Sequence, residues 1–209
     1  MDLQLVFSFI WAATLLAFMP GPDNIMVLTE SITKGKRNGV ALSVGLSSGV
    51  LIHTMAAATG LSLILQSSSL AFQVVKYLGA AYLFYLAYQS WKEQPQYTQL
   101  DQQQVDDYNF WKLIQKGFLM NVLNPKVSLF FIAFLPVFVS TSGFSPTIQL
   151  LVLGFLFMIV SLVVFVFIAQ LSGQLSPYLN NPKFWKITKW GKTLVLSGLG
   201  VLLALSKNQ

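Results

Sequence analysis

The sequence predicts an all-α, polytopic membrane protein, and three observations lead to that fold class. Hydrophobic residues make up 55% of the 209 residues and charged residues only 10%, whereas about a quarter of a soluble domain is charged. The apolar residues form long runs, and a run of about 20 residues lets a helix cross a bilayer. Most of the lysine and arginine residues lie between those runs. We therefore expect lipid to surround most of the chain.

Five apolar runs reach spanning length by themselves, and a sixth does so only with the residues before it. The sixth run, 193–205, is short unless the preceding FWKITKWGK segment is counted. The lysines of that segment, Lys186, Lys189 and Lys192, would then extend to the lipid headgroups. Six spans are predicted, and five spans followed by an interfacial tail are the alternative. The five longer runs cover residues 3–28, 40–65, 70–91, 117–139 and 147–171.

The polar segments between the runs predict one domain and a topology. None is long enough to fold separately, so residues 1–209 are expected to form a single transmembrane domain. Its longest polar segment, about 92–111, would link a first half at 1–91 to a second half at 112–209. Basic residues occur in the connections after spans one, three and five and are absent from the other two. The positive-inside rule then places those three connections in the cytoplasm and both termini outside.

The first and fourth runs contain helix breakers where a spanning helix should be continuous. The interrupting residues are Pro20, Gly21, Pro22, Asp23 and Asn24 in FMPGPDNIMVL, and Asn121, Asn124, Pro125 and Lys126 in GFLMNVLNPKVSLFFIAFLP. Proline lacks an amide proton, and unpaired backbone groups in a bilayer are tolerated only beside protein or a water-filled cavity. Corresponding breaks in two halves predict two inverted three-helix repeats, with a binding site near the bilayer midplane.

Asp23 and Lys126 are the charged residues within these breaks. A charge at the centre of a helix in lipid costs roughly 3 kcal/mol, so each should face the protein interior. At 1.5 Å per residue they lie about 10 and 15 Å from the cytoplasmic ends of their runs. We expect them to pair when the site is empty, and to bind the ammonium and carboxylate groups of an amino acid. The structural alternative is that Asp23, Asn24 and Asn124 are N-caps of short helices that follow the breaks.

Span two places small residues and a histidine on one helix face, since they follow one another at steps of four. Gly45 and Gly49 on this face are predicted to let another helix approach closely, and such a face also permits a homodimer. His53 lies near the middle of the membrane, where it could relay protons or bind substrate. It could equally be a neutral side chain bonded to a backbone carbonyl, so both interpretations stay open.

The motifs PGPDN and NPK resemble those of the lysine exporter (LysE/RhtB) family of bacterial amino acid exporters. So do GLSSGVLIH at 45–53 and KYLGAAYLFYLAYQSWK at 76–92. The resemblance implies an inner-membrane exporter of amino acids or close derivatives, such as homoserine, threonine or homoserine lactone, driven by the proton motive force. The family motif positions that it carries over are Pro20, Gly21 and Pro22, then Asn124, Pro125 and Lys126.

The composition argues against other functions. The chain has no cysteine, one histidine and no HExxH motif, so we expect no metal site, no cofactor and no enzyme activity. The basic residues suit a membrane surface better than nucleic acid. The expected partners are therefore an amino acid, protons and the bilayer. An exporter of another small solute or of a metal ion is the alternative, as is a non-transporting scaffold, although a scaffold would not need Asp23 and Lys126 in lipid.

Overall fold

The computed structural model of the chain confirms an all-α, multi-pass membrane protein. It describes residues 1–62, 69–93, 109–140, 143–179 and 181–205, and no strand occurs in those residues. A π-helical turn, Ala57–Leu61, follows the helix that ends at Ala56, and a 3₁₀ turn, Leu135–Phe138, follows the helix that ends at Ala133. The helices are α1 Leu3–Phe18, α2 Pro22–Lys34, α3 Lys36–Ala56, α4 Ser69–Lys92, α5 Phe110–Val122, α6 Pro125–Ala133, α7 Pro146–Gln170, α8 Ser172–Leu175 and α9 Pro182–Leu205.

The described residues contain three to five candidate membrane spans. Helix α3 with its π turn, α7 and α9 are each long and apolar enough to cross a bilayer. Two further candidates are broken spans, in which α1 and α2 are bent by 57° and α5 and α6 by 53°. Helix α4 has 24 residues, enough to span, but is not among the candidates. The number of six spans therefore stays a prediction, because it requires α4 to cross the membrane as well.

The last helix bears on the choice between a sixth span and an interfacial tail. Helix α9 runs without interruption from Pro182 to Leu205, so it joins the FWKITKWGK segment to the short apolar run that follows. Its 24 residues form a candidate span. A continuous spanning helix agrees with the prediction of a sixth span better than with an interfacial tail.

The helix breaks fall at the prolines because the effect of proline is local. Helix α1 ends at Phe18, and α2 begins at Pro22 after extended backbone at Met19 and Gly21. Helix α5 ends at Val122, and α6 begins at Pro125. Proline is favoured in the first turn, where its missing N–H would have no helical partner anyway. Broken pairs at corresponding places are what the repeat hypothesis predicts, and the inverted arrangement itself stays a prediction.

Glycines allow α3 and α5 to pack with their backbones in contact. A Cβ atom added at Gly45 would collide with the backbone of Ile114, and one at Gly49 would meet Asn121. From the other side, a Cβ atom at Gly117 would collide with the backbone of Leu42. The small-residue face predicted for helix packing is therefore covered by α5. It is not available to a second copy of the chain, so the homodimer stays a prediction without an assigned face.

Both termini are expected to face the outside of the cell. Because the chain contains no cysteine, Asp2→Cys and Asn208→Cys each provide a single thiol. We expect an impermeant maleimide to label both variants in intact cells. Arg37→Cys, in a connection assigned to the cytoplasm, is the control and should react only after permeabilisation. Labelling of Asn208→Cys only after permeabilisation would contradict the topology and favour an odd number of spans.

Candidate substrate site

The two helix breaks lie side by side in the structure. The side-chain amide of Asn124 donates a hydrogen bond from Nδ2 to Asp23 Oδ2, at 2.9 Å, and joins residues 101 positions apart. Lys126 also approaches the first break, because a Cβ atom at Gly21 would lie 3.7 Å from Lys126 Nζ. Polar groups from two separate apolar runs therefore meet at one place between the helices.

Asn24 closes the first break from inside. Its Nδ2 donates to the carbonyl of Ala17 at 2.8 Å, which gives a partner to a backbone group near the end of α1. The N–H of Met19 contacts the carbonyls of Leu15 and Leu16, at 3.1 and 3.2 Å. Asp23 and Asn24 are not N-caps of α2, because Gly21 occupies that position without a side-chain bond. That alternative is wrong for these two residues because Pro22 already begins the helix.

Asn124 caps a helix, which is the structural alternative predicted from the sequence, and it also binds Asp23 of the first break. Its Oδ1 accepts a hydrogen bond from the backbone N–H of Lys126 at 3.0 Å, so it caps α6. Its Nδ2 is then left free to donate to Asp23. An amide side chain has both an acceptor and a donor end, so one residue can cap a helix and bind a carboxylate.

Asp23 and Lys126 do not form the direct ion pair that their similar depths suggested. No nitrogen–oxygen distance of 4 Å or less joins them, and the described ion pairs are formed by other residues. The Asp23 carboxylate is buried and bonded to Asn124 instead. Depth along a helix could be predicted from residue number, whereas the direction of each side chain around the helix could not. The amide of Asn124 binds the carboxylate that Lys126 was expected to bind.

His53 contacts the backbone at the second break. Its Nε2 lies 3.0 Å from the carbonyl oxygen of Asn121, which also accepts a hydrogen bond from the backbone N–H of Asn124 at 2.9 Å, since Pro125 has no N–H to donate. A carbonyl only accepts, so Nε2 carries the proton in this contact. Nδ1 lies 3.4 Å from the hydroxyl of Ser128, which the sequence analysis did not single out although it lies one turn after Asn124. These contacts match the structural interpretation of His53, and the proton relay stays a prediction.

Two spaces adjoin the breaks, and they differ greatly in size. A cavity of about 30 Å³ lies between the breaks and is lined by Asp23, Asn24, Asn121 and Ser161, among others. It has room for about one or two water molecules. A cleft of about 950 Å³ lies on the other side, where Asn124 and Lys126 line both spaces. Ligand pockets commonly measure 300 to 1,000 Å³, so only the cleft has the size of a substrate site.

The cleft is built from three parts of the chain. The first is the pair of breaks, with Pro20, Gly21 and Pro22 on one side and Asn124, Pro125 and Lys126 on the other. The second is a face of α4, and the third is the middle of α9. The lining side chains from those two helices include Tyr82, Tyr85, Gln89, Lys192 and Leu196, and Glu93, directly after α4, lines the cleft as well. The resulting wall combines apolar surface with hydroxyl, amide and charged groups.

Two charged residues of the cleft, Glu93 and Lys192, form an ion pair that could not be predicted from the sequence. Lys192 was expected to extend to the headgroups, but it is only 7% exposed and forms an ion pair with Glu93. The expectation is wrong because α9 packs along α4, and Glu93 at the end of α4 offers a nearer partner than the membrane surface. No local pattern in the sequence joins two residues 99 positions apart.

Comparison with known proteins places the chain in a family. Residues 14–207 match the family described as LysE type translocator. The chain belongs to the LysE type translocator family. The resemblance predicted from the PGPDN and NPK motifs is thereby confirmed. No solved structure matches the chain.

Several curated relatives match this chain over almost their whole length. A homoserine/homoserine lactone efflux protein of Salmonella typhimurium is 30% identical over 97% of each chain. An uncharacterized membrane protein of Bacillus subtilis is 28% identical over 95% of this chain and 98% of its own. A membrane protein of Vibrio cholerae is 28% identical over 99% of this chain and all of its own.

Proposed function

We propose that this translocator is a secondary active exporter of amino acids or close derivatives such as homoserine, threonine or homoserine lactone. The proposed location is a bacterial inner membrane, with the proton motive force as energy source. The observation that carries the proposal is the meeting of two broken helices, through Asp23 and Asn124, beside a cleft of substrate size. Broken helices beside a cleft are the usual way in which transporters build a polar site within the bilayer. The homoserine/homoserine lactone efflux protein is a similar relative, which narrows the substrate class.

The breaks supply groups that suit a small charged solute. Lys126 lines the cleft one residue after the start of α6, so it lies in the first turn of that helix. A helix N-terminus carries a partial positive charge and attracts anionic groups. Because Asn124 already accepts hydrogen bonds from the first backbone N–H groups of α6, we assign the substrate carboxylate to the ammonium of Lys126.

The cleft is expected to open towards the cytoplasm, where an export substrate is collected. Lys92 and Glu93 line it at the C-terminal end of α4. That end belongs to a connection with basic residues, which the positive-inside rule assigns to the cytoplasm. A substrate that binds there would leave by an opening on the opposite side, in the alternating-access cycle common to secondary transporters.

Uphill efflux of homoserine or a related amino acid is expected to stop at once when an uncoupler is added. Cells that overproduce the protein would be loaded with labelled amino acids, one at a time, and the release of label followed over time. Cells with an empty vector measure the background rate. If efflux against the concentration gradient continues after the uncoupler is added, transport is not coupled to protons. If none of the tested amino acids leaves faster than from control cells, the proposed substrate class is wrong.

A further inference from the structure

The cleft contains an ion pair for which the broken helices give no reason. Lys192, in the middle of α9, pairs with Glu93, directly after α4. The Lys192 side chain is 8% exposed and that of Glu93 34%. Both residues line the cleft together with Lys126. Desolvated charges are costly and are found where function requires them, so the pair calls for an explanation beyond helix packing.

Glu93 is the single acid among the described residues that line the cleft. The other charged groups there are Lys92, Lys126 and Lys192. Asp23, expected from the sequence to bind an ammonium group, lines the small cavity instead, and its carboxylate accepts a hydrogen bond from Asn124. An ammonium group that enters the cleft therefore meets Glu93 and not Asp23.

We infer that Glu93 binds the ammonium group of the substrate and that Lys192 is its counter-ion while the cleft is empty. The inference rests on the proposed function. In this arrangement the two charged groups of the substrate bind different residues: the ammonium binds Glu93 and the carboxylate binds Lys126. These two residues line the same cleft.

The Lys192 ammonium and a substrate ammonium are chemically equivalent partners for Glu93. Exchange of one for the other replaces an N–H to carboxylate bond with another of the same kind, so the acid is never left without a partner. The released Lys192 remains in the cleft and can approach the substrate carboxylate. Binding thus needs no net desolvation of the acid, which lowers the free-energy cost of occupying the site.

The face of α4 that leads to Glu93 supplies neutral polar groups for the rest of the substrate. Gln89 and Tyr85 lie one and two turns before Glu93, and they hydrogen bond to each other. Residues four apart lie on the same face of a helix. Both line the cleft, so a hydroxyl or lactone oxygen bound near them would keep the substrate ammonium within reach of Glu93.

Three variants test the inference, with transport measured in proteoliposomes. Glu93→Gln is expected to lower kcat/KM for homoserine at least roughly tenfold, because a hydrogen bond to a charged group is lost. Lys192→Met keeps the acid in the cleft and should lower KM for homoserine lactone, since no lysine competes with the substrate ammonium and this substrate has no carboxylate that Lys192 could approach. The double variant removes both charges and should be as impaired as Glu93→Gln. Melting temperature and yield of each purified variant report on folding.

The double variant distinguishes a role of Glu93 in substrate binding from a role in neutralising Lys192. If Glu93 merely neutralises the buried Lys192, removing both charges would restore transport to the wild-type rate, and that result would overturn the inference. Homoserine lactone offers a second measurement, because it shares the ammonium with homoserine but lacks the carboxylate. Glu93→Gln should impair both substrates, and N-acetylhomoserine, which has no ammonium, should be a poor substrate of the wild type.

Failure of the inference and failure of the proposed function give different results. If the wild-type protein transports no amino acid in proteoliposomes, the proposed function fails. If the wild type transports homoserine and the Glu93→Gln variant does so at the same rate, only the assignment of Glu93 fails. Equal transport of homoserine and N-acetylhomoserine by the wild type would also overturn the assignment.

Discussion

Replacing Lys126 with alanine is expected to lower homoserine transport roughly 100-fold while leaving the protein inserted in the membrane. The ammonium lies in the cleft beside the first helix break and is the proposed partner of the substrate carboxylate. Hydrogen bonds between charged groups contribute about 1.5 to 3 kcal/mol, and 3 kcal/mol corresponds to a factor of about 150. Transport would be measured in proteoliposomes, with the amount of inserted protein determined on the same samples.

Homoserine lactone sharpens this prediction because it has no carboxylate. Lys126→Ala should therefore impair lactone transport much less than homoserine transport. Lys112→Ala is the matched control, since Lys112 is an exposed lysine of α5 outside the cleft. If Lys126→Ala transports homoserine at the wild-type rate, Lys126 does not bind the substrate. Equal losses for both substrates would show that Lys126 supports the break and does not contact the carboxylate.

The largest loss of stability is expected from Gly45→Leu. A Cβ atom at Gly45 would overlap the carbonyl and Cα atoms of Ile114 on the facing helix. A backbone atom cannot rotate away as a side chain can, so α3 and α5 would have to separate. Overpacking of this kind typically costs 1 to 3 kcal/mol and sometimes more. We expect a lower melting temperature of the purified protein, and reduced transport because α5 leads into the second break.

Gly198→Leu provides the control for this substitution. Gly198 lies inside α9, and nothing would lie within 4 Å of an added Cβ atom there. Because leucine favours the helix more than glycine does, this variant should melt at or above the wild-type temperature. A melting temperature of Gly45→Leu equal to that of Gly198→Leu would show that the close contact between α3 and α5 is not needed for stability.

The parts of the fold that depend on local chemistry could be predicted from the sequence. Pro22 and Pro125 begin helices in the structure because proline acts on its own backbone and on the preceding turn. Gly45 and Gly49 lie against another helix because their spacing alone puts them on one face. These inferences needed no knowledge of which helices are neighbours.

The pairing of charged residues could not be predicted, because it depends on which helices are neighbours. Glu30 lies four residues before Lys34, a spacing typical of a solvated ion pair on a helix surface, but it is 5% exposed and also lies 3.6 Å from Lys116 of α5. Lys192 was assigned to the headgroups for the same reason, since nothing in its own segment indicates Glu93. The rule that a lysine extends to the headgroups applies to a single span surrounded by lipid. Lys116 and Lys192 instead each form an ion pair with a residue outside their own helix.

Asn124 connects the two halves of the chain through its side-chain amide. One end of its amide is fixed by the start of α6 and the other by the carboxylate of Asp23. Aspartate, although nearly identical in shape, would set a second negative charge against the first, and leucine would leave both partners without a bond. We therefore expect substitutions at positions 23 and 124 to be tolerated best when both change together, even though the two segments are encoded about a hundred codons apart.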